Sequence, residues 1–334
     1  MFVYEVMRIK TIFIFIMLLL AGTVQQTHGQ KLFRMLKHND SLMTQRYRSG
    51  NVDTLYMTRP RTKWTVRGRV NMSGAKLSTE GKVNGVPFQS EMNADYKTTL
   101  SLAVNYLGLS LSVALNPAKL MGKYKDYELN LNSYGNRWGF EFIYQDASNF
   151  TGWQEFEGTP RIDLPPDVLT LKSLNLNAYY AFNYRRFSYP AAFTQSYIQR
   201  CSAGSFLLGV SGQGQRVNTK AEYESVLKVT NFGIGAGYGY NWVPGRNWLL
   251  HLSALPTFIV YSNTSLKVND ERIPFSYHFP EIIISGRGAV VRQLGSRMFV
   301  GMSMVYNFTN IGDKDKLAVY NSKWRTRLFL GYRF

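Results

Sequence analysis

The sequence predicts an all-β protein, an antiparallel transmembrane β-barrel of about twelve strands with a short N-terminal periplasmic segment. Three observations lead there. The chain begins with an export signal, its body repeats a period of two between oily and polar residues, and long connections alternate with short ones.

The export signal comes first. Arg8 and Lys10 precede an apolar run from Thr11 to Ala21, and Thr27-His28-Gly29 places small residues around a cleavage point before Gln30. Residues 1–29 are therefore read as a signal peptide. The apolar run is shorter than the ~20 residues of a spanning helix, and no later run approaches that length. Membrane residence must then come from strands. Residues 30–61 form the periplasmic segment. Leu32, Phe33, Met35 and Leu36 lie among Lys31, Arg34 and Lys37, a pattern compatible with a short helix, a lumenal plug or disorder.

The barrel proper is expected over 62–334. Strands are placed at about 62–74, 95–106, 107–116, 126–134, 137–146, 169–185, 202–214, 225–242, 247–261, 280–292, 296–308 and 322–334. The clearest is LNLNAYYAFNYRR, where Leu174, Leu176, Ala178, Tyr180 and Phe182 share a face and Asn175, Asn177 and Asn183 share the other. Trp138, Phe140, Phe142 and Tyr144 alternate with Gly139, Glu141 and Gln145, and Met298, Val300, Met302, Met304 and Tyr306 repeat the pattern. Long connections fall near 75–94, 117–125, 147–168, 215–224, 262–279 and 309–321, and short ones near 107, 135, 244 and 294. Only 186–201 is long where a short periplasmic turn is due.

The stretch TRLFLGYRF at 326–334 is read as the strand that pairs with the first to abolish the sheet edge. Phe334 and Tyr332 fall where an interfacial aromatic belt belongs. This pattern resembles the C-terminal signal that barrel-assembly machinery recognises, so both residues are assigned that role.

FNYRRFSYPAAFTQSYIQRCSAGSFLLG, residues 182–209, resembles the most distinctive block of the outer-membrane family filed as domain of unknown function 4421, and DTLYMTRPRTKW, Asp53 to Trp64, is similar to its N-terminal entry. The resemblance spans about 50–334 and implies a barrel in the cell outer membrane; it brings no activity and no site residues. Cys201 departs from the basic or polar residue expected there, and no thiol chemistry follows. As the single cysteine it can form no internal disulfide.

The formal charge is +18, and removing Glu5, Arg8 and Lys10 with the signal leaves +17. No nucleic-acid signature accompanies it, so nucleic acid is not an expected partner. Lipid, lipopolysaccharide, the assembly machinery and small anionic solutes are. Inward-facing basic residues are expected to be Arg67, Arg69, Lys97, Arg287, Arg297, Arg325, Arg327 and Arg333, with Glu128 and Glu141 as acidic counterparts. Such charges either pair into a lumenal network or select anions at a constriction.

Histidine chemistry has few candidates: His38, His251 and His278. His251 and Ser253, two apart on one strand, resemble the pair of outer-membrane phospholipases, with Asn263 as a third member. Yet Leu250, Leu252 and Ala254 form the oily face, which turns the pair to the lumen, whereas that enzyme arrangement faces lipid. No metal-ligand rhythm and no dinucleotide loop is present: Gly233, Gly235, Gly237 and Gly239 recur at a strict two. Inward glycines serve strong curvature, room for a segment to pack in the lumen, or a clear path for solute, and 186–201, with Pro190 at the start of a helix-compatible stretch, is read as a short helix that caps the barrel mouth or folds inward against the glycines, or as an ordered surface turn.

The expected function is non-enzymatic: a narrow channel for small anionic solutes, or a structural, envelope-binding barrel. The alternative is an enzyme that modifies lipid or lipopolysaccharide with His251 and Ser253. No cofactor and no metal are expected.

Overall fold

The computed structural model describes residues 51–83, 85–94, 96–106, 109–115, 126–148, 150–220, 224–268, 271–273, 281–313 and 317–334. The readings of the signal peptide, of residues 30–50, of His38 and His278 and of the Glu128 side chain lie outside what is described.

In chain order the strands are β1 (Met57–Thr58), β2 (Trp64–Val83), β3 (Val86–Ala94), β4 (Lys97–Tyr106), β5 (Leu109–Leu115), β6 (Asp126–Tyr134), β7 (Trp138–Ala147), β8 (Phe150–Phe156), β9 (Ile162–Leu164), β10 (Leu169–Ala181), β11 (Ile198–Gln199), β12 (Ala203–Lys220), β13 (Glu224–Gly245), β14 (Trp248–Val268), β15 (Glu271–Ile273), β16 (Ile282–Leu294), β17 (Met298–Asp313) and β18 (Leu317–Arg333). One short helix, α1 (Tyr189–Phe193), follows β10.

Among the described residues the sheet runs β5-β4-β2-β18-β17-β16-β14-β13-β12-β10-β7-β6, twelve antiparallel strands. The first and last long strands meet as expected: β18 pairs with β2 from Leu317↔Gly81 to Arg333↔Thr65, and Trp64 and Phe334 exchange both backbone hydrogen bonds at 3.1 Å. The sheet curls into a barrel, because side chains of β16 and β18 reach those of β7 across the interior. Arg287 meets Glu141 at 2.8 Å and Lys323 meets Gln145 at 2.6 Å.

The connections differ from expectation at one end. Much of 75–94, 215–224, 262–279 and 309–321 is ladder, since β2 and β3 form a hairpin to Val83↔Val86, β12 continues to Lys220, β14 to Val268 and β17 to Asp313. Within 147–168, β8 pairs with the free edge of β3 and β9 with β8, which extends the wall above β5. On these extensions the outward face is mostly polar and the apolar residues, among them Leu77, Val217 and Ile311, turn inward, so no outward oily face announces them in the sequence. At the other end the described β6–β7, β13–β14 and β16–β17 turns are tight, and among the described connections there only that from β10 to β12 is long; Gly295 takes φ +78, a conformation that favours glycine.

The outer face is apolar through the middle of the wall. Phe140, Leu176, Leu252, Val300, Met302 and Leu328 are all exposed, while their sequence neighbours Glu141, Ser253, Ser303 and Phe329 are buried. An exposed oily band of this extent is stable only against lipid. Aromatic residues gather towards the short-turn end, where Trp64 and Tyr106 lie 4.4 Å apart, Trp138 and Tyr180 4.6 Å, and Phe206 and Tyr238 5.3 Å. Phe334 and Tyr332 are exposed in this girdle with stacked rings at 6.2 Å. Among the described residues no helix is long and apolar enough to cross a membrane.

The interior is filled, and 183–201 does much of the filling at the short-turn end. Phe187, Tyr189, Ala191, Ala192 and Phe193 are buried against Leu207, Leu249, Val291, Phe299 and Phe329 of the wall. Gly239 of β13 makes room for this, since a Cβ there would lie 2.9 Å from Cζ of Phe187, whereas Cβ atoms on Gly233, Gly235 and Gly237 would meet β14 instead. Residues 51–59 pack beneath, with Met57 wholly buried and β1 paired to β11. A second apolar layer, including Leu77, Phe150, Leu171, Val217, Ile259 and Ile311, lies at the long-hairpin end.

Gly239→Val should therefore destabilise the barrel by about 1–3 kcal/mol, because Phe187 must move. Gly68→Ala, where nothing lies within 4 Å of the added carbon, should cost less than about 1 kcal/mol. Urea unfolding in lipid vesicles compares the two, and equal midpoints would contradict the packing of Phe187 on β13.

Candidate functional site

The lumenal plug begins where β10 runs out. Ser188 caps α1, its Oγ accepting from the Ala191 amide at 3.2 Å while its hydroxyl donates to Asn136 Oδ1 at 2.7 Å, and Pro190 presets the first turn. The helix stops after one turn. Thr194 and Gln195 both return their amides to Pro190 O, and Gln195 takes φ +60, a left-handed conformation that costs a side-chain-bearing residue about 1 kcal/mol. That turn buries the Gln195 amide, which donates to Ala191 O and accepts from Gln293 Nε2 at 3.1 Å and Arg333 Nη2 at 3.3 Å.

His251 and Ser253 face the lumen as the alternation predicts, both 4 % exposed. His251 Nε2 lies 3.0 Å from Ser253 Oγ, and Nδ1 lies 2.7 Å from Asn241 Oδ1. The third member is Asn241, not Asn263, which is exposed on β14 and pairs in the ladder with Thr230. Asn241 is directly opposite His251 across the β13–β14 hairpin, and counting back through the turn from His251 finds it. The hydrogen bonds fix the tautomer. Asn241 Nδ2 donates to Ser188 O and Gln199 Oε1, both at 2.9 Å, so its Oδ1 must accept from His251 Nδ1–H, which leaves Nε2 to accept from Ser253. Gln199 in turn donates to the carbonyls of Arg186, Cys201 and Tyr56. Tyr189 shares a hydrogen bond with Ser253, and burial pushes its hydroxyl above the ordinary phenol range, so it stays protonated.

This is the connectivity of a nucleophile, a base and an orienting amide. Its setting is closed. The rings of Phe187, Tyr189 and Phe193 sit 5.9, 5.0 and 5.1 Å from the imidazole. Every polar member has a partner, and the chain of bonds ties β13 and β14 to both ends of the plug.

The predicted lumenal cations divide into three groups. Arg287 is buried, with Nη2 2.8 Å from Glu141 Oε2 and Nη1 2.8 Å from Tyr134 Oη, a bridge from β16 to β6 and β7. Arg67 and Arg333 are buried and hold the plug, Arg67 Nη1 donating to Phe193 O at 2.9 Å and Arg333 Nη2 to Gln195 Oε1 at 3.3 Å, while Arg333 Nη1 donates to Gln293 Oε1 of the wall at 2.8 Å. Arg69, Lys97, Arg325 and Arg327 are half-buried along the wall, and Arg69 Nε reaches Ser101 Oγ at 3.1 Å. Arg297 differs from expectation. It lies exposed in the β16–β17 turn with Nη1 3.5 Å from Tyr332 Oη, because strand parity lapses once the ladder ends at Leu294↔Met298. Among the described residues no group of His, Cys, Asp and Glu is arranged to hold a metal.

Above the plug, the lumen is lined by uncharged polar residues, including Asn175, Asn177, Ser211, Gln213 and Asn307, with Lys323 among them. Glu141→Gln should lower stability by about 3–5 kcal/mol by leaving Arg287 buried without its carboxylate. Glu141→Leu with Arg287→Met should recover much of that loss. Guanidinium unfolding in vesicles measures both, and an unchanged midpoint for Glu141→Gln would show the bridge to be dispensable.

Comparison with known proteins places this geometry in context. Among solved structures, the chain is similar to the outer membrane protease OmpT from Escherichia coli, at 10 % identity over 84 % of this chain and 99 % of that one, with a TM-score of 0.43. It is similar to the outer membrane protein OprG from Pseudomonas aeruginosa at 12 % identity, covering 83 % and 97 %, TM-score 0.28. The translocator domain of the autotransporter NalP from Neisseria meningitidis matches at 10 % identity, covering 93 % and 99 %, TM-score 0.33. No curated protein matches the sequence. Residues 51–334 match the family model described as Domain of unknown function (DUF4421), and the chain belongs to that family.

Proposed function

We propose that this protein is a closed, non-enzymatic barrel of the outer membrane, exported by its N-terminal signal, with a structural or envelope-binding role. The plug carries this reading. Residues 183–201 cross the lumen at the short-turn end and are hydrogen-bonded to β13, β16, β18, β2 and the β6–β7 turn. A side-chain constriction can stay wet, but here aromatic rings and alanines are packed to the wall, and a hydrated anion finds no path through them. The lumenal arginines hold the plug and the opposite wall, which favours the network role over anion selection. The surface left for partners is the set of long hairpins at the other end, with the lipid-facing belt.

Single-channel recording of the refolded protein in planar bilayers tests this. The expected record is silent from a correctly folded barrel. Discrete steps with an anion-selective reversal potential would overturn the closed reading and restore the channel.

One observation favours a second reading, an enzyme acting on lipid or lipopolysaccharide: Asn241, His251 and Ser253 are joined in the order and tautomer that activate a serine. It requires the plug to leave. Ser253→Ala is expected to leave any ester hydrolysis by the purified protein unchanged and to reduce stability by about 1–3 kcal/mol, since His251 and Tyr189 lose a buried partner. Loss of hydrolysis at unchanged stability would favour the enzyme.

A further inference from the structure

We propose that the outer wall over β13, β14, β16 and β17 binds one anionic glycerophospholipid, with an acyl chain in a groove above Gly288 and the phosphate on Arg292. This rests on the reading that the barrel spans the outer membrane, and it adds a specific site on its lipid face.

The groove follows from the ladder register. Leu252, Gly288 and Met304 stand in one cross-strand row, and Leu250, Val290 and Met302 in the next row towards the short turns. Outward side chains rise on both sides of Gly288 and none rises at it. A cavity of about 450 Å³ results, walled by Trp242, Leu250, Leu252, Met302 and Met304, almost entirely apolar. That is the size of a small-molecule pocket, on a surface whose solvent is hydrocarbon. Leu252 and Trp242 are largely exposed along its edge.

The third row supplies the charge. Trp248, Arg292 and Val300 are opposite one another, so Arg292 lies on the outward face two residues beyond Val290, about 7 Å along the strand from the groove. Arg292 is exposed, its guanidinium 5.2 Å from the Trp248 ring, and no carboxylate among the described residues forms a salt bridge with it. Arg246 is exposed in the adjoining β13–β14 turn. A planar guanidinium steadied on an interfacial aromatic ring is suited to the bidentate grip of a phosphodiester. Groove and cation stand in the order of a phospholipid, tail towards mid-membrane and head at the girdle. The cation lies at the short-turn end, which faces the periplasm in this reading. The lipid is therefore drawn from the inner leaflet and is a glycerophospholipid, not lipopolysaccharide.

The structure also supplies a variant that fills the groove without disturbing the fold. A Cβ on Gly288 meets only His251 O at 3.8 Å, an ordinary contact, so Gly288→Leu projects outward into the cavity. Native mass spectrometry of the full chain, released from detergent after titration with palmitoyl-oleoyl phosphatidylglycerol or phosphatidylethanolamine, is the test. One phosphatidylglycerol should be retained, about tenfold more strongly than phosphatidylethanolamine. Arg292→Glu should abolish that preference, and Gly288→Leu should abolish retention of both lipids, with heat modifiability of each variant confirming a folded barrel. Equal retention of the two lipids, indifference to both substitutions, or preferential retention of lipid A would overturn the site. A chain that fails to insert into vesicles at all would instead overturn the membrane reading beneath it.

Discussion

The constraint on which everything else depends is that hydrocarbon offers no partner to a peptide group. A sheet immersed in it can leave no free edge, because each unsatisfied amide or carbonyl costs several kcal/mol. The ladder from Leu317↔Gly81 to Arg333↔Thr65 meets that demand at the junction of first and last strands, and the Trp64–Phe334 pair extends it to the rim. Beyond the oily belt, edge pairing continues with β8 and β9. Where β5 ends, β3 would present a bare edge, and β8 covers it.

Closing a sheet creates an inside, and the inside must be filled or wetted. Here the two solutions are stacked. The short-turn end holds a plug whose rings pack like a soluble core, and above it lies a band of amides and hydroxyls. Packing alone would not fix the plug's position, since a short aromatic segment fits a greasy cylinder in many ways. Directional bonds supply the register: Ser188 and Gln199 to Asn241, Gln195 to Arg333 and Gln293, Phe193 O to Arg67. A buried polar network with every member partnered specifies one arrangement strongly, because any shift leaves several groups unsatisfied together.

His251 and Ser253 belong to that network, which bears on how a catalytic pattern is weighed. A serine, a histidine and an amide in hydrogen-bonded sequence are equally what a barrel wall needs to hold a plug in low dielectric. Access separates the two uses, and the three aromatic rings over the imidazole close it. The lipid-facing wall has the complementary property, an open groove backed by small residues with a cation at its end.

Strand period and face were legible because burial on one side and lipid on the other impose a strict alternation; Leu174 and Asn175, or Leu252 and Ser253, declare their directions without any coordinates. The inward turn of His251, Arg67 and Arg333 follows from the same parity. Where the outward face is polar instead of oily, as in the extensions of β12 and β17, the lipid-facing alternation vanishes and strands read as loops; at the β16–β17 turn, parity lapses and Arg297 turns out to solvent. Which residues meet across the lumen was decided only by closure. Asn241 joins His251 through hairpin register, and Glu141 joins Arg287 although 146 residues separate them, because curling the sheet brings β7 opposite β16. The sequence by itself determined a lipid-facing barrel, since that depends on residues adjacent in the chain. The plug, its clamp and the groove over Gly288 depend on distances between strands far apart in the chain, and only the tertiary structure decided those.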